Sequence, residues 1–390
     1  MNVVLSIEAV RPPLAGIGRY VWELATRLPQ HPEIESMRFL SDGIWRDLPK
    51  LNTAGDVATT ANLKLDFSSS VRHKLGKIAL ISAVYGKWMP MLAARQLDQV
   101  EDGIFHGPNF FVPQTDLPSV VTIHDLSAYH FPEWHPKTRF DRMRKMIPQA
   151  IDRASVVLTD SEATKIEIVQ EFGIRPDKVH AISLGVDPIY HPRSAETLVP
   201  VLARFGLTVS GYSFFVSTIE PRKNLRNLIA AYRLLPLEMR QRWPLVLVGG
   251  EGWNSAAIHR EIEVGVREGW LKYLGFVAQE FLPMLYAGCR LFTYPSLYEG
   301  FGLPIAEAMA SGVPVLTSNC SSMPEVAAGC ACLVEPSDVD AISAGLKAAL
   351  EDERWRFDAI LKGLQRSSQL TWDACIEQTV NAYQIALALK

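Results

Sequence analysis

The stretch "CRLFTYPSLYEGFGLPIAEAMASGVPVLTS", residues 289 to 318, runs from an apolar segment through a glycine-containing turn into a helical segment and then a second apolar run. Short unbroken apolar strands joined through helices belong to parallel sheets covered on both faces. The same alternation spreads along the chain. "NVVLSI", "GIFH", "SVVTIH", "SVVLT" and "VHAIS" mark strands in the first half; "SFFVST", "PLVLVG", "LKYLG", "CRLFTY", "VPVLTS" and "CACLV" mark them in the second. The expected fold class is therefore α/β, with two Rossmann-like doubly wound parallel-sheet domains facing a central cleft. At 390 residues the chain is long for one domain and suits two, each able to bury a full core.

Composition narrows the function classes. Hydrophobic residues make up 48% and charged residues 21%, as in an ordinary globular α/β protein. A net charge of −3 gives no global attraction to nucleic acid, so anion affinity must come from local sites. The five cysteines, all in the second half, are odd in number and show no disulfide framework. Cys330 and Cys332 flank Ala331 in a run that reads as a strand, and buried thiols explain them better than a metal site. "MNVVLSIEAV" lacks a basic leader and carries Glu8 too early for a signal peptide, so it reads as a first strand. No apolar run reaches membrane-spanning length, and the expected location is cytoplasmic.

The strand and helix pattern pauses at "LGVDPIYHPRSAETLVP", residues 184 to 200, which reads as a linker. The boundary is set near Asp187, giving domains over 1–187 and 188–370. A last helix over 371–390, with Thr371 as its N-cap, is expected to pack back on the first domain.

Ligands of open α/β sheets sit beyond the carboxyl ends of the strands. Several chemistry-bearing residues fall at such ends. In "FFVSTIEPRKNLRNLI", Glu220, Pro221, Arg222, Lys223 and Asn224 follow a strand and precede a helix with Leu225, Leu228 and Ile229 on its apolar side. Two adjacent cations at a helix N-terminus oppose the helix dipole. A bound diphosphate would remove that conflict, since arginine and lysine both suit phosphate oxygens; a solvated basic loop is the alternative.

In the opening stretch, Gly300 and Gly302 permit close backbone approach or positive φ, and Pro304 suits a helix start. The amides of that helix would face an anion. Glu299 is expected on the loop and Glu307 in the first helical turn, two carboxylates able to accept hydrogen bonds from ligand hydroxyls. A first-turn acid favouring the dipole and an ordinary glycine turn are the alternatives.

In the first half, "RPPLAGIGRYVWELATRL" sets Gly16 and Gly18 before an amphipathic helix as a phosphate cradle, although Val21 stands where a dinucleotide fingerprint has its third glycine. Arg19 points either to the ligand or to solvent. His124 and Asp125 end a buried strand, and His106 is a weaker candidate of the same kind. Asp338-Val339-Asp340 has the spacing of a metal-holding pair, but N-capping and first-turn acids account for it. The basic segments 67–97 and 135–146 either lie on an anionic membrane surface or pack within the first domain.

Taken together, strand plus "EPRKN", "EGFGLPIAEAMASG" with its two glutamates eight apart, "GIGRY" and the "HD" pair resemble the retaining glycosyltransferases of family GT4, with the GT-B fold, and mannosyltransferase B-like members in particular. The resemblance implies an N-terminal acceptor domain and a C-terminal donor domain. It implies that Arg222 and Lys223 neutralise the donor diphosphate, that Glu307 binds the ribose, and that Glu299 with the backbone of Phe301, Gly302 and Leu303 holds the transferred sugar. Gly16 and Gly18 would then close on the phosphates, with His124 near the sugar.

A departing nucleoside diphosphate needs its charge stabilised, which Arg222, Lys223 and helix termini supply; metal independence is expected. No enzymatic nucleophile is assigned, because the family is described by front-face attack. The implied reaction moves mannose, or a deoxy relative such as rhamnose, from a GDP-sugar to a bacterial surface glycan, with a polyprenyl-diphosphate-linked acceptor if the basic segments meet a membrane. A UDP-sugar donor, an NAD(P)-dependent oxidoreductase and a catalytically silent nucleotide-sugar-binding subunit are the alternatives.

Overall fold

The computed structural model describes residues 1–11, 14, 16–49 and 90–389. Most of the basic segment 67–97, including Arg72, Lys74, Lys77, Lys87 and Trp88, lies outside the described residues. Two sheets carry the fold. The first holds β1 (Asn2–Ser6), β2 (Ser36–Ser41), β3 (Ile44–Arg46), β4 (Ile104–Gly107), β5 (Ser119–Thr122), β6 (Val156–Thr159) and β7 (Val179–Ala181) in the order β3-β2-β1-β4-β5-β6-β7. β1 pairs in parallel with β2 and β4, and β5 with β4 and β6, while β2 and β3 form an antiparallel hairpin. β4, β5 and β6 are buried throughout, so their sequences are continuous apolar runs.

The second sheet holds β8 (Ser213–Val216), β9 (Leu245–Val248), β10 (Leu271–Tyr273), β11 (Leu291–Tyr294), β12 (Val315–Ser318) and β13 (Cys332–Val334) in the order β10-β9-β8-β11-β12-β13. Its registered pairs are all parallel. Strand order reverses between β8 and β11, the switch point at which doubly wound sheets open a crevice for ligands. Phe214, Phe215, Phe292, Tyr286 and Tyr294 fill the core around these two strands and are almost fully buried. Burial of such rings, at about 25 cal/mol per Å² of apolar area, is what fixes the strand ends in place.

By contact the chain forms two compact units. One comprises Met1–Ile123, Met146–Leu158 and Ile376–Lys390; the other comprises His124–Lys145 and Thr159–Cys375. Inside the first, Tyr383 of the last helix (Trp372–Ala388) lies 2.7 Å from Nδ1 of the buried His106, whose Nε2 lies 2.8 Å from Thr122 Oγ1. His106 thus serves packing in this unit. The last helix begins as its sequence suggests, with Thr371 Oγ1 accepting from the Ala374 amide at 3.1 Å.

Two local expectations are corrected, and one hairpin was not anticipated. Residues 184–200 are not a linker throughout, because a helix occupies Ala195–Ala203: Ser194 caps it by accepting from the Thr197 amide, Leu198 and Leu202 are buried one turn apart, and Pro200 is carried inside it. Cys330 is not in a strand. Ala328 and Gly329 adopt positive φ and turn the chain before β13, leaving Cys330 buried and Cys332 partly exposed. The hairpin strands β2 and β3 escape the pattern of apolar runs because β2 sits near the sheet edge with alternate residues exposed, Arg38 lying 3.6 Å over the Trp45 ring.

Candidate active site

The segment after β8 and the segment after β11 meet at the switch point of the second sheet. Register between Ser213 and Leu291, and between Phe214 and Phe292, sets the two strands side by side. Residues 77 positions apart in sequence therefore become neighbours: Arg222 Nη1 donates to Glu299 Oε2 at 2.9 Å. Lys223 Nζ donates to Glu299 Oε1 at 2.6 Å and to the Tyr294 hydroxyl at 2.8 Å. Glu220 closes the far side of the guanidinium, its Oε1 lying 3.0 Å from Arg222 Nη2.

This is not a solvated basic loop. The side chains of Arg222 and Lys223 are only 13% and 10% exposed. The cations occupy a 3₁₀ turn, Pro221–Lys223, ahead of the helix Leu225–Leu234, and two carboxylates of the protein itself offset them. Asn224 makes the turn possible by taking φ 59° and donating its side-chain amide to the carbonyls of Pro295 and Pro336.

Electrostatics follow from this geometry. Burial alone would raise the Glu299 carboxyl, but Arg222 and Lys223 outweigh it and hold the group at about 2. Burial also opposes the Arg222 charge, yet Glu299, Asp125 and Glu220 prevail and push its pKa up. For Lys223, burial and the neighbouring guanidinium prevail over Glu299 and pull its pKa down. The cluster is a tightly held anion between two cations in a medium where charge interactions are strong.

Glu299 leads into the turn that starts the helix Leu303–Ala310. Gly302 takes φ 103°, and a side chain at Gly300 would stand 1.8 Å from the His124 carbonyl oxygen, so only glycine fits there. Ser161 and Ser322 donate to the carbonyls of Gly300 and Phe301 at 2.7 and 2.8 Å, pinning the turn. Among the described residues, no acceptor takes the amides of Phe301, Gly302 or Leu303. Open amides at a helix start attract an anion.

Glu307 is corrected in position. It is the fifth residue of the helix rather than a first-turn acid, because the helix begins at Leu303, and its Oε2 accepts from the Tyr286 hydroxyl at 2.8 Å. Burial and Glu307 together push the Tyr286 phenol well above its ordinary range, so it stays a donor.

His124 Nδ1 lies 2.8 Å from Asp160 Oδ2, both buried, and burial raises the Asp160 carboxyl despite the imidazole. His124, Arg222, Lys223, Glu299, Gly300, Phe301, Gly302, Leu303 and Glu307 all belong to the second compact unit. Gly16 and Gly18 belong to the first: Gly16 takes φ 50° before the helix Ile17–Arg27, Gly18 packs its backbone near the Ala9 carbonyl, and Arg19 pairs with Glu23 at 2.7 Å.

Ser127, His135, Tyr298 and Glu167 carried no signal of their own in the sequence. Tyr298 accepts from the Leu126 amide at 3.2 Å and donates to Glu167, whose carboxyl burial pushes upward. Only "HD" and "YEG" signalled this neighbourhood. Asp338 is an N-cap, accepting from the Ala341 amide at 3.0 Å, and the described residues hold no group of side chains suited to a metal ion.

Two doubly wound α/β sheets, with a buried cation pair and a helix start at the switch point of the second, define the GT-B architecture of glycosyltransferases. Sucrose-phosphate synthase from Thermosynechococcus elongatus shares it, with a TM-score of 0.71 and 19% identity over 100% of both chains. The models for "Glycosyl transferases group 1" and "Glycosyltransferase Family 4" match residues 210–364 and 66–189. O-antigen chain mannosyltransferase B of Escherichia coli is 40% identical over 386 residues, 99% of this chain and 100% of that protein. The serotype-specific mannosyltransferase WbdA of Escherichia coli is 33% identical over 68% of this chain, which spans 34% of that longer relative. The chain belongs to glycosyltransferase family GT4.

Proposed function

We propose that the enzyme transfers a mannosyl residue, with retention of configuration, from a GDP-sugar to a growing bacterial surface glycan. The observation that carries the reading is the buried Arg222 and Lys223 pair held on Glu299 beside the open helix start of Leu303–Ala310. Likeness along the whole length to an O-antigen mannosyltransferase supports mannose and the O-antigen type of product.

A donor diphosphate would take the cations, leaving Glu299 to accept sugar hydroxyls and Glu307 to accept those of the ribose. In the chemical step the anomeric carbon–oxygen bond to the diphosphate breaks, the acceptor oxygen bonds the same face, and the acceptor proton passes to the departing phosphate. Arg222 and Lys223 stabilise the charge that develops there. Glu299 is then engaged as an acceptor for sugar hydroxyls, and front-face attack needs no glycosyl-enzyme.

Lys137, Arg142, Arg144 and Lys145 are exposed on the helix Lys137–Arg153, and support an acceptor presented at an anionic membrane surface on polyprenyl diphosphate. No helix among the described residues is long and apolar enough to cross a membrane, so this contact would be peripheral.

Family membership removes the oxidoreductase alternative. The test incubates the protein with GDP-mannose or UDP-glucose and a mannose-terminated oligosaccharide, with and without EDTA, and reads the product by NMR. Expected is an α-linked mannoside from GDP-mannose that EDTA does not suppress. Transfer from UDP-glucose alone would overturn the donor assignment, a β-linkage would overturn retention, and binding without any product would mark a silent subunit.

A further inference from the structure

The segment that follows β5 folds over the switch point of the second sheet. It runs through a 3₁₀ turn at Pro132–Trp134 to His135, and it is pinned by the Trp253 indole, which donates to the Trp134 carbonyl, and by Asn254, whose amide donates to the Glu133 carbonyl. The His135 ring lies 5.7 Å from that of Trp253 and is 4% exposed.

A chain of hydrogen bonds places a proton on its Nε2. Ser127 Oγ donates to Asp125 Oδ1 at 2.8 Å and has only one proton to give. His135 Nε2, 3.1 Å from the same Oγ, must therefore be the donor in that contact. Nδ1 is buried and, among the described residues, has no hydrogen-bond partner. Burial first, then Arg139, lowers the pKa of the ring to about 4, so at neutral pH the ring is uncharged and Nδ1 is its acceptor.

A second buried acceptor nearby is in the same state. Glu220 uses Oε1 on Arg222, and its Oε2 has no partner among the described residues. Arg222 pairs with Glu220 and its charge is also felt at His135, so the two acceptors share one electrostatic neighbourhood. A diphosphate brings only acceptors and satisfies neither. Hydroxyl groups satisfy both.

We propose that His135 is a substrate-binding, specificity-determining residue whose Nδ1 accepts a hydrogen bond from a sugar hydroxyl beside Arg222. This rests on the nucleotide-sugar reading above and adds a recognition element outside the residues assigned to the donor phosphates and ribose. The hydroxyl belongs either to the hexose of the donor or to the acceptor glycan, and the experiment separates them.

Two substitutions divide the ring's two functions. His135→Gln keeps a donor at the ε position for Ser127 and removes the δ acceptor, whereas His135→Asn keeps an acceptor at the δ position. Calorimetric titrations with GDP-mannose and with GDP, together with KM for the mannose-terminated acceptor, are compared across wild type and both variants.

A donor-sugar contact shows as about tenfold weaker GDP-mannose binding in His135→Gln with GDP unchanged; an acceptor contact shows as about a tenfold rise in acceptor KM. His135→Asn recovers much of either loss. Thermal stability of His135→Gln stays near wild type, since no satisfied bond is removed. Unchanged binding and KM in His135→Gln, or equal losses in both variants with a lowered Tm, would overturn the assignment and leave a packing histidine. If wild type binds UDP-glucose rather than GDP-mannose, the mannosyl reading fails by itself and the same comparison on UDP-glucose decides the role of His135.

Discussion

Glu299 lies between Arg222 and Lys223, the pair proposed to receive the donor diphosphate. Removing one partner of a buried ion cluster leaves charge uncompensated and costs about 3 kcal/mol or more. Glu299→Gln should therefore lose stability on that order, and added GDP should recover much of the loss by supplying the missing negative charge. Melting curves with and without GDP read this directly; a loss that GDP leaves untouched would place the nucleotide elsewhere. The sequence singled out Glu299, Arg222 and Lys223 because glycines and adjacent cations beside a helix start are locally odd. It gave no sign that Glu220 and Glu299 neutralise the cations, since that pairing depends on sheet order rather than spacing. The partner of Glu307, Tyr286, was hidden for the same reason: the two are 21 positions apart and meet only in the folded chain.

Two elements hold the site in shape, the turn at Gly300 and the segment carrying His135. A methyl group at residue 300 would meet the His124 carbonyl oxygen at 1.8 Å, a backbone atom that cannot swing aside. Gly300→Ala should abolish transfer and lower Tm by several degrees, whereas a surface glycine with open space around it, Gly269, should tolerate alanine far better despite its φ of 79°. Parallel melting curves test the contrast. His135 sets a pH dependence. Its folded pKa is depressed from 6.5 to about 4 by burial and by the Arg139 and Arg222 charges, with Asp125 opposing. Between those values the unfolded chain binds a proton that the folded chain does not, so stability is full above pH 6.5 and falls as pH drops toward 4, by up to about 3 kcal/mol. The slope of unfolding free energy against pH should flatten in His135→Gln, and an unchanged slope would show that the ring is already protonated in the fold. Periodicity could not reveal this segment, because Pro132, Trp134 and Pro136 break any helical or strand pattern before the helix Lys137–Arg153.

At the scale of the molecule, the sheets were legible because strands buried on both faces must be apolar along their whole length, as in β5, β6, β9 and β11. The edge hairpin β2 and β3 was not, since half-exposed strands carry polar residues. A last helix returning to the first domain was expected from the sequence, but not where the chain divides: Ile376–Lys390 belongs to the compact unit of β1 and Thr371 to the other. Tyr383→Phe removes a 2.7 Å hydrogen bond from the fully buried His106 and should cost about 1 to 2 kcal/mol, a Tm shift of about 2 to 8 °C. A shift below 1 °C would show that the bond adds nothing to this unit.

The central claim is that Arg222 and Lys223 form the seat of a nucleoside diphosphate, and calorimetric titration of GDP into wild type and Lys223→Met in the presence of EDTA tests it most directly. The account predicts GDP binding that survives EDTA and weakens at least about tenfold in Lys223→Met, the loss of one charge-assisted contact. Equal affinity in the two proteins would contradict it.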